Sequence, residues 1–278
     1  MRHFETKWKS GDGLDIFAQG WESVDVPSKA VLCLVHGLGE HSSRYAHVAE
    51  AFGKKGYILF GADLRGHGRS GGPRGHTPSA EAFMRDIDLL FEQAEIRYPG
   101  LPKILYGHSL GGILVLHYAL KHEPRISGVI ATSSGLRTAL EEQPAKIWAA
   151  RILGSVIPGV TLASGLEVSA ISRDNKVIET YNNDPLVHDK VSLGFGKIML
   201  ETAKWTLRHS AEFPLPLLLM HGKADRIAFP SGSIDFAAPL GDKCTIMLFD
   251  SACHELHNEP EKALVFDAMT TWIAKLLK

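Results

Sequence analysis

The sequence predicts an α/β architecture of about eight mostly parallel strands flanked by helices, with an inserted helical cap. Three observations carry this. Six short apolar runs are unbroken by polar residues, stretches with one apolar stripe at helical spacing lie between them, and one long segment after the fourth run interrupts the alternation. Unalternating runs suit strands covered on both faces, as in the centre of a parallel sheet.

The chain begins with two alternating segments, around Phe4–Lys9 and Leu14–Gly20, which read as an antiparallel edge. The buried runs follow: Val31–Val35, Tyr57–Phe60, Lys103–Tyr106, Val129–Ala131, Leu215–Met220 and Thr245–Phe249. Before the third, Phe83, Ile87, Leu90, Phe91 and Ala94 form an apolar stripe, with Thr77 as the expected N-cap and Pro78 at the first helical position. The last helix is expected after Asn258, with Glu259 and Glu261 in its first turn and Leu264, Ala268, Trp272 and Leu276 on its inner face. From about 136 to 209 no clear buried strand occurs. That stretch holds an apolar helix-like run, Trp148–Ile157, ended by Pro158. The expected organisation is a core of residues 1–135 and 210–278, with 136–209 as a cap over the carboxyl edge of the sheet.

Composition excludes several classes. The 278 residues carry a net charge of −1, so there is no basic footprint for nucleic acid. Hydrophobic residues make up 45% and charged ones 22%, as in ordinary globular domains. The first residues show no apolar secretory core, and no run approaches the ~18 residues of a membrane span. The three cysteines, Cys33, Cys244 and Cys253, have no paired spacing, which favours reduced thiols and a cytoplasmic location.

Chemistry concentrates at Gly107-His108-Ser109-Leu110-Gly111, between the run Lys103–Tyr106 and a helical stretch from Ile113 to Leu120. A G-x-S-x-G pentad between strand and helix is a nucleophile elbow. The turn strains the serine, holds its hydroxyl at the sheet edge and needs small neighbours so that strand and helix can pass. A serine hydroxyl is a weak nucleophile until a base takes its proton and a third group orients that base. Asp225 follows the run Leu215–Met220 and His254 follows Thr245–Phe249, which gives the chain order Ser, Asp, His. Loops after successive parallel strands converge on one edge. Asp250 is the rival acid and reads as a turn residue; His257 is the rival base, at the entry to the last helix. Two backbone donors are needed for the developing oxyanion. They are expected to be Leu110, next to the nucleophile, and Leu38, in His36-Gly37-Leu38-Gly39-Glu40 after the first buried run.

Competing motifs fail on spacing. Gly37-x-Gly39-x-x-Ser42 lacks the third glycine of a dinucleotide fingerprint, and no GxxxxGK[ST] occurs. His254-Glu255-Leu256-His257 is one residue short of the zinc pattern HExxH. No cofactor and no metal is expected, and no obligate protein partner is implied.

These segments resemble the monoacylglycerol lipase family of the α/β-hydrolases, also called the serine aminopeptidase S33 or lysophospholipase-like group. The likeness rests on HGLGEHSSRY at 36–45, DLRGHGRS-x-G at 63–72, the elbow GHSLGG at 107–112, Ser172-Arg173 and YNNDPL at 181–186 in the cap, and HELH at 254–257. It covers nearly the whole chain. The resemblance implies the α/β-hydrolase fold and release of a fatty acid from a monoacylglycerol, with Ser109, Asp225 and His254 as the triad and the amides of Leu38 and Leu110 as the oxyanion hole. It also implies a polar pocket for glycerol drawn from Glu40, Arg44, Tyr181 and His257, although Glu40 with Arg44 reads equally as a structural ion pair holding the oxyanion loop. An apolar cap over the edge would enclose an acyl chain, at roughly 0.8 kcal/mol per buried methylene. The Trp148–Ile157 run either dips into a membrane or micelle surface or packs on the core. Two other readings stay open: a general carboxylesterase or lysophospholipase on the same triad, and a binding protein that keeps the fold without turnover.

Overall fold

The computed structural model describes residues 1–278, except the side chains of residues 144–146, 149 and 150. In chain order the elements are β1 (Arg2–Lys9), β2 (Asp15–Glu22), β3 (Ala30–Val35), α1 (Ala46–Gly53), β4 (Tyr57–Ala62), α2 (Ala80–Arg97), β5 (Lys103–His108), α3 (Leu110–His122), β6 (Gly128–Thr132), α4 (Pro144–Val156), β7 (Thr161–Ala163), α5 (Asn175–Asn183), β8 (Lys190–Ser192), α6 (Leu193–Arg208), β9 (Leu217–Gly222), α7 (Pro230–Ala237), β10 (Cys244–Phe249) and α8 (Lys262–Leu276). Eight of the strands form one sheet in the order β1-β2-β4-β3-β5-β6-β9-β10. The pairs β1–β2 and β2–β4 are antiparallel, and every pair from β4 to β10 is parallel. The strand order reverses between β3 and β5, and the carboxyl ends on either side of such a switch point frame a crevice.

The unalternating runs have a simple cause. Val31, Cys33 and Val35 face one apolar cluster, with α2 and α3, while Ala30, Leu32 and Leu34 face the other, with α1 and α8. Leu217 and Leu219 of β9 likewise oppose Leu218 and Met220. Each fully buried aliphatic side chain contributes about 1.5–3 kcal/mol, so these strands anchor the loops that follow them.

Four expectations shift. The strand expected from Leu215 starts at Leu217, because Pro216 has no N–H for the ladder. β10 is the outer edge of the sheet, so Ile246 is exposed rather than covered on both faces. The N-cap of α2 is Ser79, not Thr77; its hydroxyl accepts the Ala82 N–H at 3.1 Å. α8 begins at Lys262 and buries Val265, Phe266, Met269 and Ile273, whereas Leu264 is 62% exposed. Two adjacent apolar stripes run along that helix, and periodicity alone does not rank them. Glu259 lies before the helix and pairs with Arg173.

Between β6 and β9 the chain runs through α4, β7, α5, β8 and α6. β7 and β8 make a separate antiparallel pair. Phe195 of α6 is fully buried with its ring 5.5 Å from Phe83, so this helix shares the main core. α4 differs. Trp148 and Val156 are 68% and 72% exposed, and Ile152, Leu153, Ile157, Val160 and Leu162 are exposed near them. Among the described residues, no helix is long and apolar enough to cross a membrane.

Candidate active site

Ser109 sits between β5 and α3 with φ 55° and ψ −113°, a region that non-glycine residues rarely occupy. Such strain costs about 1–3 kcal/mol and persists only where the surroundings enforce it. Here the Ser109 N–H donates to the Thr132 carbonyl at 3.0 Å, and the Ser109 carbonyl accepts from Ile113 and Gly135. The flanking glycines are obligatory for space. A Cβ on Gly107 would lie 2.3 Å from the Gly111 carbonyl oxygen, and one on Gly111 would lie 1.9 Å from that of Val35.

The acid and the base reach this serine from loops after β9 and β10. Gly222 makes their approach feasible, since a Cβ there would meet the Ala252 carbonyl oxygen at 2.2 Å. Backbone bonds from Lys223 to Phe249 and from Ala224 to Ala252 tie the two loops together. His254 Nε2 stands 2.8 Å from Ser109 Oγ, and His254 Nδ1 stands 2.7 Å from Asp225 Oδ2. Asp225 is buried, and its Oδ1 accepts the N–H groups of Ile227 and Ala228. Burial opposes its charge, but His254 and the hydrogen bonds from His221 and His254 prevail and hold the carboxyl well below the usual carboxylate range. Burial alone would lower the His254 imidazole; the Asp225 charge and hydrogen bond raise it instead. His108 packs its ring 4.9 Å from His254 and is pushed down to about 3, chiefly by burial, so at neutral pH it places no positive charge beside the base.

The rivals lie elsewhere. Asp250 is exposed and pairs with Lys223. His257 is 1% exposed, stacked 4.6 Å from Tyr45, with both ring nitrogens lacking a hydrogen-bond partner. It is as buried as Glu40, which is 2% exposed. The ring is shut in because Tyr45 and His47 cover it on the core side and His108 abuts its edge.

Glu40 and Arg44 form the ion pair, joined by a carboxylate, Glu255, to which the sequence reading gave no role. Arg44 Nη1 lies 2.7 Å from Glu40 and 2.7 Å from Glu255, and Nη2 completes a bidentate contact to Glu255 at 2.8 Å. Nothing local links residues 211 positions apart; the HELH segment marked Glu255 but not its partner. Glu40 Oε1 accepts the Gly37 N–H at 2.6 Å and the Tyr45 hydroxyl at 2.8 Å. Gly37 is a close neighbour of the nucleophile, since a Cβ there would lie 3.3 Å from that of Ser109. Of the two readings left open for Glu40 and Arg44, this arrangement matches a brace for the loop. Tyr181 completes it, with the Arg44 guanidinium 4.8 Å from its ring centre. The loop is also held from the segment between α5 and β8, where His188 N–H donates to the Gly39 carbonyl at 2.9 Å. Among the described residues, the Leu38 and Leu110 N–H groups have no acceptor within the protein.

A serine strained at a strand–helix turn, on a mostly parallel eight-stranded sheet with an acid and a histidine on later loops, defines an α/β-hydrolase. The serine aminopeptidase S33 family model matches residues 26–261, and the chain belongs to that family. A monoacylglycerol lipase of Mycolicibacterium smegmatis is 33% identical over 269 residues, spanning 95% of each chain. An abhydrolase domain-containing protein of Dictyostelium discoideum is 37% identical over 254 residues, 90% of this chain but only 27% of that protein. The crystal structure of Paleococcus ferrophilus monoacylglycerol lipase superposes with a TM-score of 0.84 at 32% identity, covering 99% of this chain and 100% of that one.

Proposed function

We propose that this chain is a serine hydrolase that cleaves the ester bond of monoacylglycerols to fatty acid and glycerol. The observation that carries the chemistry is the unbroken relay from Asp225 through His254 to Ser109. The named lipases it resembles along their length support the substrate class. In acylation Ser109 Oγ attacks the ester carbonyl while His254 Nε2 takes its proton, and the imidazolium then protonates the departing glycerol oxygen. Asp225 keeps the His254 proton on Nδ1 and offsets the charge that forms. Water then attacks the acyl-enzyme with His254 as base. The amides of Leu38 and Leu110 serve the oxyanion. Leu38→Ala leaves that amide in place and is expected to hold kcat within about threefold, while Leu38→Pro removes the donor and is expected to lower kcat by about a hundredfold or more. Equal kcat values for the two variants would remove Leu38 from this role.

Residues 136–209 act as the cap and shape an acyl tunnel, and Glu40, Arg44, Tyr181 and His257 border its polar end. The deciding measurement is turnover of a monoacylglycerol beside di- and triacylglycerols, a lysophospholipid and short p-nitrophenyl esters. A clear preference for the monoacylglycerol is expected; equal rates on triacylglycerol or lysophospholipid would overturn the substrate class. Failure of a fluorophosphonate probe to label Ser109 would instead favour a binding protein without turnover. The exposed apolar side chains of α4 and the turn after it rest on the lipid surface during catalysis. Trp148→Glu with Val156→Glu is expected to weaken sedimentation with phospholipid vesicles by about tenfold or more while soluble-ester turnover stays unchanged. Unaltered vesicle binding would refute that contact.

A further inference from the structure

A second imidazole reaches the acid. His221 lies at the end of β9, wholly buried, four residues before Asp225. Its Nε2 is 3.1 Å from Asp225 Oδ2 and 3.0 Å from the Ala228 carbonyl oxygen. Its Nδ1 is 2.8 Å from Ser233 Oγ on α7. A carbonyl and an ionised carboxylate only accept, so Nε2 carries a proton shared between them. Nδ1 is then free to accept, and the Ser233 hydroxyl donates to it.

The acceptor sites of Asp225 are consequently full. Oδ1 takes the N–H groups of Ile227 and Ala228 at 2.8 and 3.0 Å, and Oδ2 takes His254 at 2.7 Å and His221 at 3.1 Å. A carboxylate has about four such sites. Two of these donors are backbone groups, and His254 must change its charge state during turnover. Among the described residues, His221 is the only side chain that binds the acid without touching the serine.

Resting on the triad reading above, we propose that His221 is a positioning residue for this hydrolysis. It holds Asp225 Oδ2 toward His254 and disperses the carboxylate charge, which tunes how tightly His254 keeps its proton. Ser233 fixes the His221 tautomer from the far side. The groups facing His254 are Asp225, Glu255, Glu40 and the rings of His108 and His257. Those bonded to Asp225 are His221 and His254, with the His108 ring and the Cys253 thiol also within its field, while Arg226 turns outward to Glu167. Removing the His221 donor therefore concentrates negative charge opposite His254, and the imidazolium survives to higher pH.

The test is the pH profile of kcat/KM on a soluble p-nitrophenyl ester for wild type, His221→Leu and His221→Gln. His221→Leu is expected to move the acid limb upward by about half a pH unit or more and to lower kcat roughly tenfold at unchanged KM. His221→Gln, whose amide nitrogen can stand where Nε2 stood, is expected to restore the wild-type limb and most of kcat. A limb that stays put in His221→Leu, or a Gln variant as impaired as the Leu one, would overturn the proposal and leave His221 a packing residue. Nitrogen-15 NMR of the wild-type protein at pH 8 decides even if His221→Leu does not fold. The ring is expected as the Nε2–H tautomer, and an Nδ1–H ring would overturn the proposal. Ser109→Ala serves as the separate control. Turnover by that variant sinks the triad itself, whereas an inert Ser109→Ala beside an unshifted His221→Leu sinks only the role of His221.

Discussion

Ser109→Ala and His254→Ala are each expected to lower kcat by about a millionfold, and the double variant to lose no more than either alone. The two groups act as one unit. The hydroxyl is useless without a base, and the 2.8 Å contact between them leaves Nε2 no other hydrogen-bonding duty in the resting enzyme. Asp225→Asn is expected to cost about ten-thousandfold, because an amide has a single accepting oxygen: with that oxygen taken by the Ile227 and Ala228 N–H groups, its NH2 faces His254 and the imidazole loses its tautomer. KM should change little in all three, since none of these groups binds the acyl chain. Steady-state rates on a soluble ester, with fluorophosphonate labelling to count competent serines, check this. Appreciable turnover by Ser109→Ala, or multiplicative losses in the double variant, would contradict a serine nucleophile served by His254. The pH dependence has a definite sign. Turnover requires neutral His254, whose value lies above that of an ordinary imidazole, so kcat/KM falls as the pH drops through that raised value.

Much of this site is legible in the sequence, for a physical reason. Ser109, Asp225 and His254 each follow a run of apolar residues, and in a parallel sheet the ends of such runs share one edge. The runs therefore place the loops, and the loops place the side chains. The edge pair β1–β2 is equally readable, because its alternation reports one exposed face. What escapes is set by tertiary contact alone. Glu255 joins Arg44 across 211 positions, and His221 reaches Ser233 on the next helix only because β9 and α7 fold together. His257 carries the same residue type as His254 only three positions away, yet it is sealed under Tyr45. Spacing does not report which of two histidines faces the serine. The inner face of α8 is ambiguous in the same way, since Leu264 and Val265 differ by one position and both are apolar.

Arg44→Ala is expected to destabilise the fold by about 3–5 kcal/mol at pH 7.5, the largest stability loss expected from any surface-remote charge here. The guanidinium pairs with two buried carboxylates, with side-chain exposures of 8% for Arg44, 3% for Glu40 and 4% for Glu255. Burial opposes the charge on Glu40, but Arg44 and then the neighbouring histidines overcome it and draw the carboxyl down to about 2. Without Arg44, Glu40 and Glu255 cannot both stay ionised at such close quarters, and one takes up a proton. The sign then follows. In the variant that folded carboxyl binds its proton more tightly than it does in the unfolded chain, so the variant gains stability relative to wild type as the pH falls. Urea unfolding of both proteins at pH 7.5 and 5.5 is expected to show the difference shrinking on acidification, while contributions common to both chains cancel. The damage reaches catalysis through Glu40, whose Oε1 holds the Gly37 N–H beside the nucleophile. Glu40→Gln keeps an acceptor for that N–H but loses the charge and the oxygen that accepts from Arg44, so it is expected to retain more kcat than Glu40→Ala, which loses both oxygens. A variant lacking Arg44 that unfolds within about 1 kcal/mol of wild type would show the buried ion cluster to be dispensable, and with it the brace on the oxyanion loop.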